Sequence, residues 1–424
     1  MRILIKGGRV IDPANNIDAL CDILVKNSKI VQVAKSIKEE ADYSIDAGDK
    51  IVMPGIIDIH THLREPGRED KETIASATQA ALCGGVTSLL AMPNTQPSID
   101  SVENVQLLKG LIKHSAKANV FIAGAITKGR LGQELTDIAK LKKEGVLAIS
   151  DDGASVDSDA TMLEAFKIAK EERVLVICHC EDKKLSGSGV VNLGLTSTRM
   201  GLRGISKESE YKRVQRDIEL AEKVGVPLHI AHLSCKESVE IIARAKKKGI
   251  KVTCETAPHY FSLSEEAALG FDTNLKMNPP LRSKEDMVSI RQGLTDGTID
   301  AIASDHAPHT ENEKEIEFER AEFGVIGLET ELAVSITELV HTEVMDWSGL
   351  VKKLALNPAR ILGIDKGSLG VGCDADVIVV SPDREWVAQK AGFVSKSRNS
   401  AFLGRRLKGK VQYTICAGKI AYKL

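Results

Sequence analysis

Eight short apolar runs, separated by longer segments with helical spacing, occupy residues 50–310. They are GIIDIH (55–60), VTSLLA (86–91), NVFIAGA (119–125), VLAIS (146–150), VLVIC (174–178), VPLHIAH (226–232), KVTCE (251–255) and DAIAS (300–304). Each is mostly continuous in its apolar character, the pattern of parallel strands covered on both faces. Between them, segments such as KETIASATQAALCGG (71–85), ATMLEAFKIAKEE (160–172) and ESVEIIARAKKKG (237–249) repeat apolar residues at helical spacing. Two of these three end in glycine, a C-terminal helix stop. Eight such alternations in order predict a (β/α)8 TIM-type barrel over residues 54–365 rather than an open sheet.

The flanks read differently. Residues 1–53 (RILIKGGRVI, CDILVKNSKIVQVA) and 366–424 (GCDADVIVV, GKVQYTICAGKIAY) carry short alternating strands broken by turn residues. Neither is large enough for a good core of its own, so the two ends are expected to pair into one small β-sandwich beside the barrel. Composition narrows the function classes. A net charge of −2 gives no electrostatic case for nucleic acid or an anionic membrane. No apolar run reaches the 18 or so residues of a membrane span, and the start has neither the core nor the cleavage site of a signal peptide. The eight cysteines are scattered without a Cys-x-x-Cys pair, as in a reduced, cytoplasmic protein. In Cys178-His179-Cys180, alternation puts both sulfurs opposite the imidazole, which argues against a thiolate metal site.

In such barrels the chemistry sits at the C-terminal ends of the strands. After the first run come His60, His62 and Arg64, and after the second Asn94. The fourth is followed by Asp151 and Asp152, the fifth by His179, and the seventh by Glu255 and His259. His232 ends the sixth, which also contains His229, and Asp305, His306 and His309 follow the eighth. Setting aside His229, inside its run, seven of the ten histidines fall near one face, where packing alone has no use for imidazoles. Histidines two apart on a strand point the same way, with Cβ atoms roughly 7 Å apart, so both can converge on one ion. Asp305 completes a His-His-Asp set, and His179, His232 and an aspartate after the fourth strand add donors for a second, zinc-like ion. Spacing does not separate Asp151 from Asp152.

The motifs PGIIDIHTHLREPG, AMPNTQP, SDDG, CHCED, HIAHLS, TCETAPHY, KMNPPLR, ASDHAPHT and FGVIGLET resemble those of type I dihydroorotases, the longer bacterial class within the amidohydrolase superfamily. The resemblance runs across essentially the whole chain. It implies two Zn2+ sites formed by His60, His62, Asp152, His179, His232 and Asp305, with Asp152 bridging and one or both sites filled. Related hydantoinases and dihydropyrimidinases bridge their metals with a carboxylated lysine, but residues 144–160 contain no lysine. The resemblance further implies Asp305 as the catalytic acid–base group acting on carbamoyl aspartate and dihydroorotate. Arg64 offers a planar fork for the substrate carboxylate. The family pattern adds Asn94 and His309 there, Asn278 with the Phe323–Gly324 backbone near the ring, and His62 as a further substrate contact.

The charged stretch from His306 to Phe323 lacks the periodicity of a packed helix, and is expected to be either a lid or a solvated loop. Relatives form homodimers or complexes with aspartate carbamoyltransferase, and the sequence does not discriminate between these. Three competing readings stand beside a dihydroorotase: a hydantoinase, dihydropyrimidinase or allantoinase, a different reaction on the same metals such as deamination, and a non-catalytic scaffold.

Overall fold

A computed structural model describes all 424 residues. Each of the eight predicted runs contains a strand, and all eight pair in parallel and in chain order: Ile56–Thr61, Val86–Ala91, Asn119–Gly124, Ala148–Ile149, Leu175–Cys178, Leu228–Ile230, Val252–Thr256 and Ala301–Ile302. Closure falls between the first and last. There a parallel bridge joins Thr61 to His306, and the His62 amide donates to the His306 carbonyl at 2.9 Å. The Asp58 carboxylate replaces part of the missing ladder by accepting from the Ser304 amide at 3.2 Å and the His60 amide at 3.1 Å.

The helices begin and end where local chemistry dictates. Ile74–Gly84 starts at Thr73, whose hydroxyl accepts from the Ser76 amide, and ends at Gly85 in the left-handed conformation (φ 88°). Asp159–Glu172 is capped by Ser158 but stops at Arg173, also left-handed at φ 53°, where no glycine marks the end.

The two chain ends form one continuous eight-stranded sheet, with the junction at Val52 opposite Val379 on antiparallel strands Ile51–Pro54 and Val377–Val387. The expected sandwich is therefore a single sheet folded on itself, since Lys29 bridges to Asp374 and the Ala375 amide reaches the Ser28 carbonyl. Strand alternation gives it two apolar faces. Val52, Val377 and Val379 join Ile3, Ile5 and Ile415 in its own core, while Ile51, Met53, Ile378 and Val380 face the barrel. Both faces are buried, so a one-residue register slip would exchange the two sets and is disfavoured twice over.

Residues 388–405, between the two long C-terminal strands, leave this sheet and cover part of the barrel mouth. Ala388, Phe393, Ala401 and Phe402 are buried with the barrel's core residues. The loop after the eighth strand is also fixed. Glu311–Lys314 forms a helical turn, and Phe318 packs with Val190, Val191, Met200 and Ala268. Lys276 donates to the carbonyls of Phe318 (2.9 Å) and Glu319 (3.0 Å), and Lys314 to those of Glu322 (2.8 Å) and Gly324 (3.1 Å). The charge that made this stretch look solvated in the sequence includes one buried ammonium group, that of Lys314, satisfied by backbone oxygen.

Candidate active site

His60 and His62 point into the barrel mouth from alternate positions of the first strand, with ring centroids 5.4 Å apart. The orientation of each ring follows from its outer partner. His60 Nδ1 donates to Glu255 at 2.8 Å, His62 Nδ1 to Asn94 Oδ1 at 2.8 Å, and His179 Nε2 to Glu181 at 3.2 Å. In every case the acceptor takes the proton-bearing nitrogen and leaves the other lone pair aimed at one shared space. That is the second partner metal-binding imidazoles require.

Asp152 lies in that space. Its oxygens are 3.2 Å from His60 Nε2, 3.4 Å from His62 Nε2 and 3.6 Å from both His179 Nδ1 and His232 Nε2. Asp305 stands 3.5 Å from His62 Nε2 and 3.8 Å from His60 Nε2. Two sets of potential donors result, His60–Asp152–His232 and His60–His62–Asp305, each with its atoms within 4.8 Å of one another. His60 Nε2 and Asp152 Oδ1 are buried without a hydrogen-bond partner, a costly arrangement unless a cation sits between them. The donors are all imidazole nitrogen and carboxylate oxygen, which fits Zn2+ without cysteine. Burial opposes ionisation of Asp305, but His62, His60 and His232 outweigh it and hold the carboxyl well below its ordinary range.

The geometry separates two residues that spacing alone did not. Asp151 turns away and accepts from the amides of Ile126 (2.8 Å) and Thr127 (3.0 Å), capping the third-strand loop. Only Asp152 faces the histidines. Cys180 likewise points outward, its Sγ 3.5 Å from Asp217.

Apart from His60, which is fully buried, every residue that the family resemblance assigned to the site lines one cavity of about 430 Å3: His62, Arg64, Asn94, Asp152, His179, His232, Asn278, Asp305, His309, Phe323 and Gly324. Arg64 donates through Nε to the Pro308 carbonyl (3.1 Å), and its Nη2 lies 3.3 Å from His309 Nε2. Burial pushes its pKa down to about 10, so it is a cation at neutral pH. Asn94 spends its oxygen on His62 and keeps its amide nitrogen as a donor. Asn278 donates to Glu181 at 2.9 Å. Gly324 is required as glycine: at φ 131° a Cβ would lie 2.7 Å from that of Ala307 and 3.1 Å from His309 Nε2. Its N–H and carbonyl are already engaged by Lys276, Lys314 and Asn399, and the Phe323 carbonyl lies 2.8 Å from His309 Nε2, so the free backbone donor here is the Phe323 N–H.

Arg64, His232 and Asp305 all have positive φ (62°, 35° and 49°), each unfavourable by about 1–3 kcal/mol. Their strand ends turn sharply and aim the side chains across the mouth. His306 and His259 stay outside the cavity. His306 accepts from the Gly327 amide and faces Glu72 at 3.3 Å, and His259 packs edge-on against Tyr260, with burial lowering its pKa to about 4.

Below the histidines lies Glu331, fully buried with neither oxygen partnered. Burial, helped by Asp58 and Glu255, holds its pKa well above the ordinary value and so favours the neutral carboxyl. A carboxyl raised in the folded state contributes its full stability below about pH 4. That contribution falls by about 1.4 kcal/mol per pH unit as pH rises toward the folded pKa. Glu331→Gln is expected to flatten the loss of stability as pH rises above the ordinary carboxyl range, and so to raise Tm at the alkaline end of a calorimetric pH series. A Tm that falls in parallel with the parent's would exclude an ionisation cost at this position.

Comparison with known proteins fixes the kinship of this architecture. Residues 49–238 match the Dihydro-orotase-like family profile. The dihydroorotase of Elusimicrobium minutum is 50% identical over 420 residues, covering 99% of this chain and 97% of that protein. The dihydroorotase of Geotalea daltonii is 49% identical over 424 residues, covering all of both chains. The chain belongs to the dihydroorotase family. Among solved structures, the L-hydantoinase (dihydropyrimidinase) of Arthrobacter aurescens superposes with a TM-score of 0.89 at 25% identity, covering 99% of this chain and 95% of the other. A dihydropyrimidinase from Brevibacillus agri gives 0.86 at 22%, with the same coverage, a likeness of fold. Membership of the dihydroorotase family makes the chain a metal-dependent cyclic amidohydrolase. No helix in it is long and apolar enough to cross a membrane.

Proposed function

We propose that the protein closes N-carbamoyl-L-aspartate to L-dihydroorotate with loss of water, reversibly, as the ring-forming step of pyrimidine (UMP) biosynthesis in the cytoplasm. The carrying observation is the polarity of the cavity. One end collects imidazole lone pairs and two carboxylates, while the other presents the donors Arg64 and Asn94 beside His309. The cysteines are all free, in keeping with a reducing compartment.

His60, His62 and Asp305 would hold one Zn2+, and His179 and His232 a second, with Asp152 bridging. Bound there, zinc supplies water acidified to a pKa near 7 and a polarised amide carbonyl. The chain's own residues do the rest. Arg64 receives the substrate carboxylate as a bidentate fork, with the Asn94 amide and the His309 imidazole as further donors. Asn278 and the Phe323 backbone orient the ring. In hydrolysis, water adds to the ring amide carbon, the C–N bond breaks, and Asp305 carries the proton from the attacking oxygen to the departing nitrogen. Cyclisation runs the same path backwards, with Asp305 starting protonated and water leaving, so it is expected to be favoured at lower pH than hydrolysis.

Absorbance assays with dihydroorotate, hydantoin and allantoin test the substrate assignment. Turnover of dihydroorotate is expected, and turnover of only the other two would overturn it. Arg64→Lys keeps the charge but loses the fork. It is expected to raise KM about tenfold, equal to about 1.4 kcal/mol, with kcat within about threefold. An unchanged KM would remove Arg64 from the carboxylate site.

A further inference from the structure

Lys71 lies in the segment between the first strand and its helix, with its side chain almost fully buried at 7% exposure. Its ammonium group donates to His309 Nδ1 at 3.0 Å and pairs with Glu313 at 2.9 Å. An ammonium has no lone pair to offer, so His309 Nδ1 must be the acceptor. The opposite nitrogen gives the same answer independently. His309 Nε2 lies 2.8 Å from the Phe323 carbonyl, which can only accept, so Nε2 bears the hydrogen. The imidazole is thus a neutral Nε2–H donor.

The other tautomer has partners within reach. Glu313 Oε2 is 3.6 Å from Nδ1 and would draw a hydrogen there. Nε2 would then present a lone pair to Arg64 Nη2, only 3.3 Å away. That arrangement removes two donors from a carboxylate at once, because His309 becomes an acceptor and occupies the arginine. Lys71 stands between Glu313 and the ring. From this geometry we infer that Lys71 is a positioning residue, setting the His309 tautomer so that His309 and Arg64 both donate to the substrate carboxylate. The inference rests on the carboxylate-binding reading above. Asn399, from the terminal segment, holds the same unit by accepting from the His309 amide (3.2 Å) and donating to the Gly324 carbonyl (3.1 Å).

The test uses 15N-histidine-labelled, metal-loaded protein, with the His309 signals assigned by their loss in His309→Gln. The parent is expected to show a pyrrole-like Nε2 and a pyridine-like Nδ1. Lys71→Met is expected to reverse that pattern and raise KM for dihydroorotate about tenfold with kcat within about threefold. Lys71→Arg, which restores a donor, and Glu313→Gln, which breaks the ion pair but leaves the ammonium on Nδ1, are expected to retain the parent pattern and KM. The inference is overturned if Lys71→Met keeps both, or if Glu313→Gln reproduces the Lys71→Met changes and so assigns them to the ion pair alone. If the parent turns over no dihydroorotate while the nitrogen patterns follow expectation, the proposed function fails and the role of Lys71 in fixing His309 stands.

Discussion

Asp305→Asn is expected to abolish turnover in both directions, with kcat lower by about a thousandfold or more. Asparagine nearly preserves the volume, so the cavity and the positive-φ turn at this residue should survive. Two things are lost. The side chain can no longer take a proton from water or return one, a contribution typically of about 10²–10⁴ in rate. The site also loses one of the two carboxylates that balance the charge of divalent cations. The carboxyl is held ionised by three facing imidazoles, so the parent has its base ready at neutral pH. Forward and reverse rates at several pH values check the expectation. Near-native rates in either direction would remove Asp305 from the proton-transfer role.

Asp152→Asn is expected to be nearly as damaging for a different reason. Its carboxylate is the only one within 4 Å of all four imidazoles, so it is the group through which one ion would sense the other. An amide carries no charge and offers one oxygen where a bridge needs two. Metal content is expected to fall from about two equivalents to one or fewer, with activity reduced by about a hundredfold or more. Asp151→Asn supplies the internal control. That carboxylate caps two backbone amides and faces away from the cavity, so its loss should leave the metal count intact and cost about 1–2 kcal/mol of stability. Mass-spectrometric metal analysis of both variants decides between them. Equal metal loss in the two would contradict the assignment of the bridge.

The barrel and most of the site were legible because both depend on short-range pattern. Buried parallel strands leave continuous apolar runs, and His60 and His62 share a face because strand alternation has period two. Some information was present but undervalued. Glu181 sits two residues beyond His179 on the same face and steadies its ring, and Glu255 at the end of the seventh strand does the same for His60. Other features have no local signature. Asn399 is 90 residues from His309 and reaches it only because residues 388–405 fold back over the barrel mouth. Lys276, Lys314 and Lys71 carry no local sign of burial, yet they are buried against carbonyls or an imidazole, and burial is a property of the tertiary fold. Spacing left Asp151 and Asp152 open and the family resemblance chose Asp152; the physical reason, which way a two-residue strand end turns, is visible only in three dimensions.

Metal content measured alongside dihydroorotate turnover, on the same preparation, tests the central claim most directly. About two equivalents of zinc or a similar divalent metal per chain are expected. Chelation should remove turnover and readdition of metal should restore it. Less than about a tenth of an equivalent, with no activity gained on reconstitution, would contradict the account.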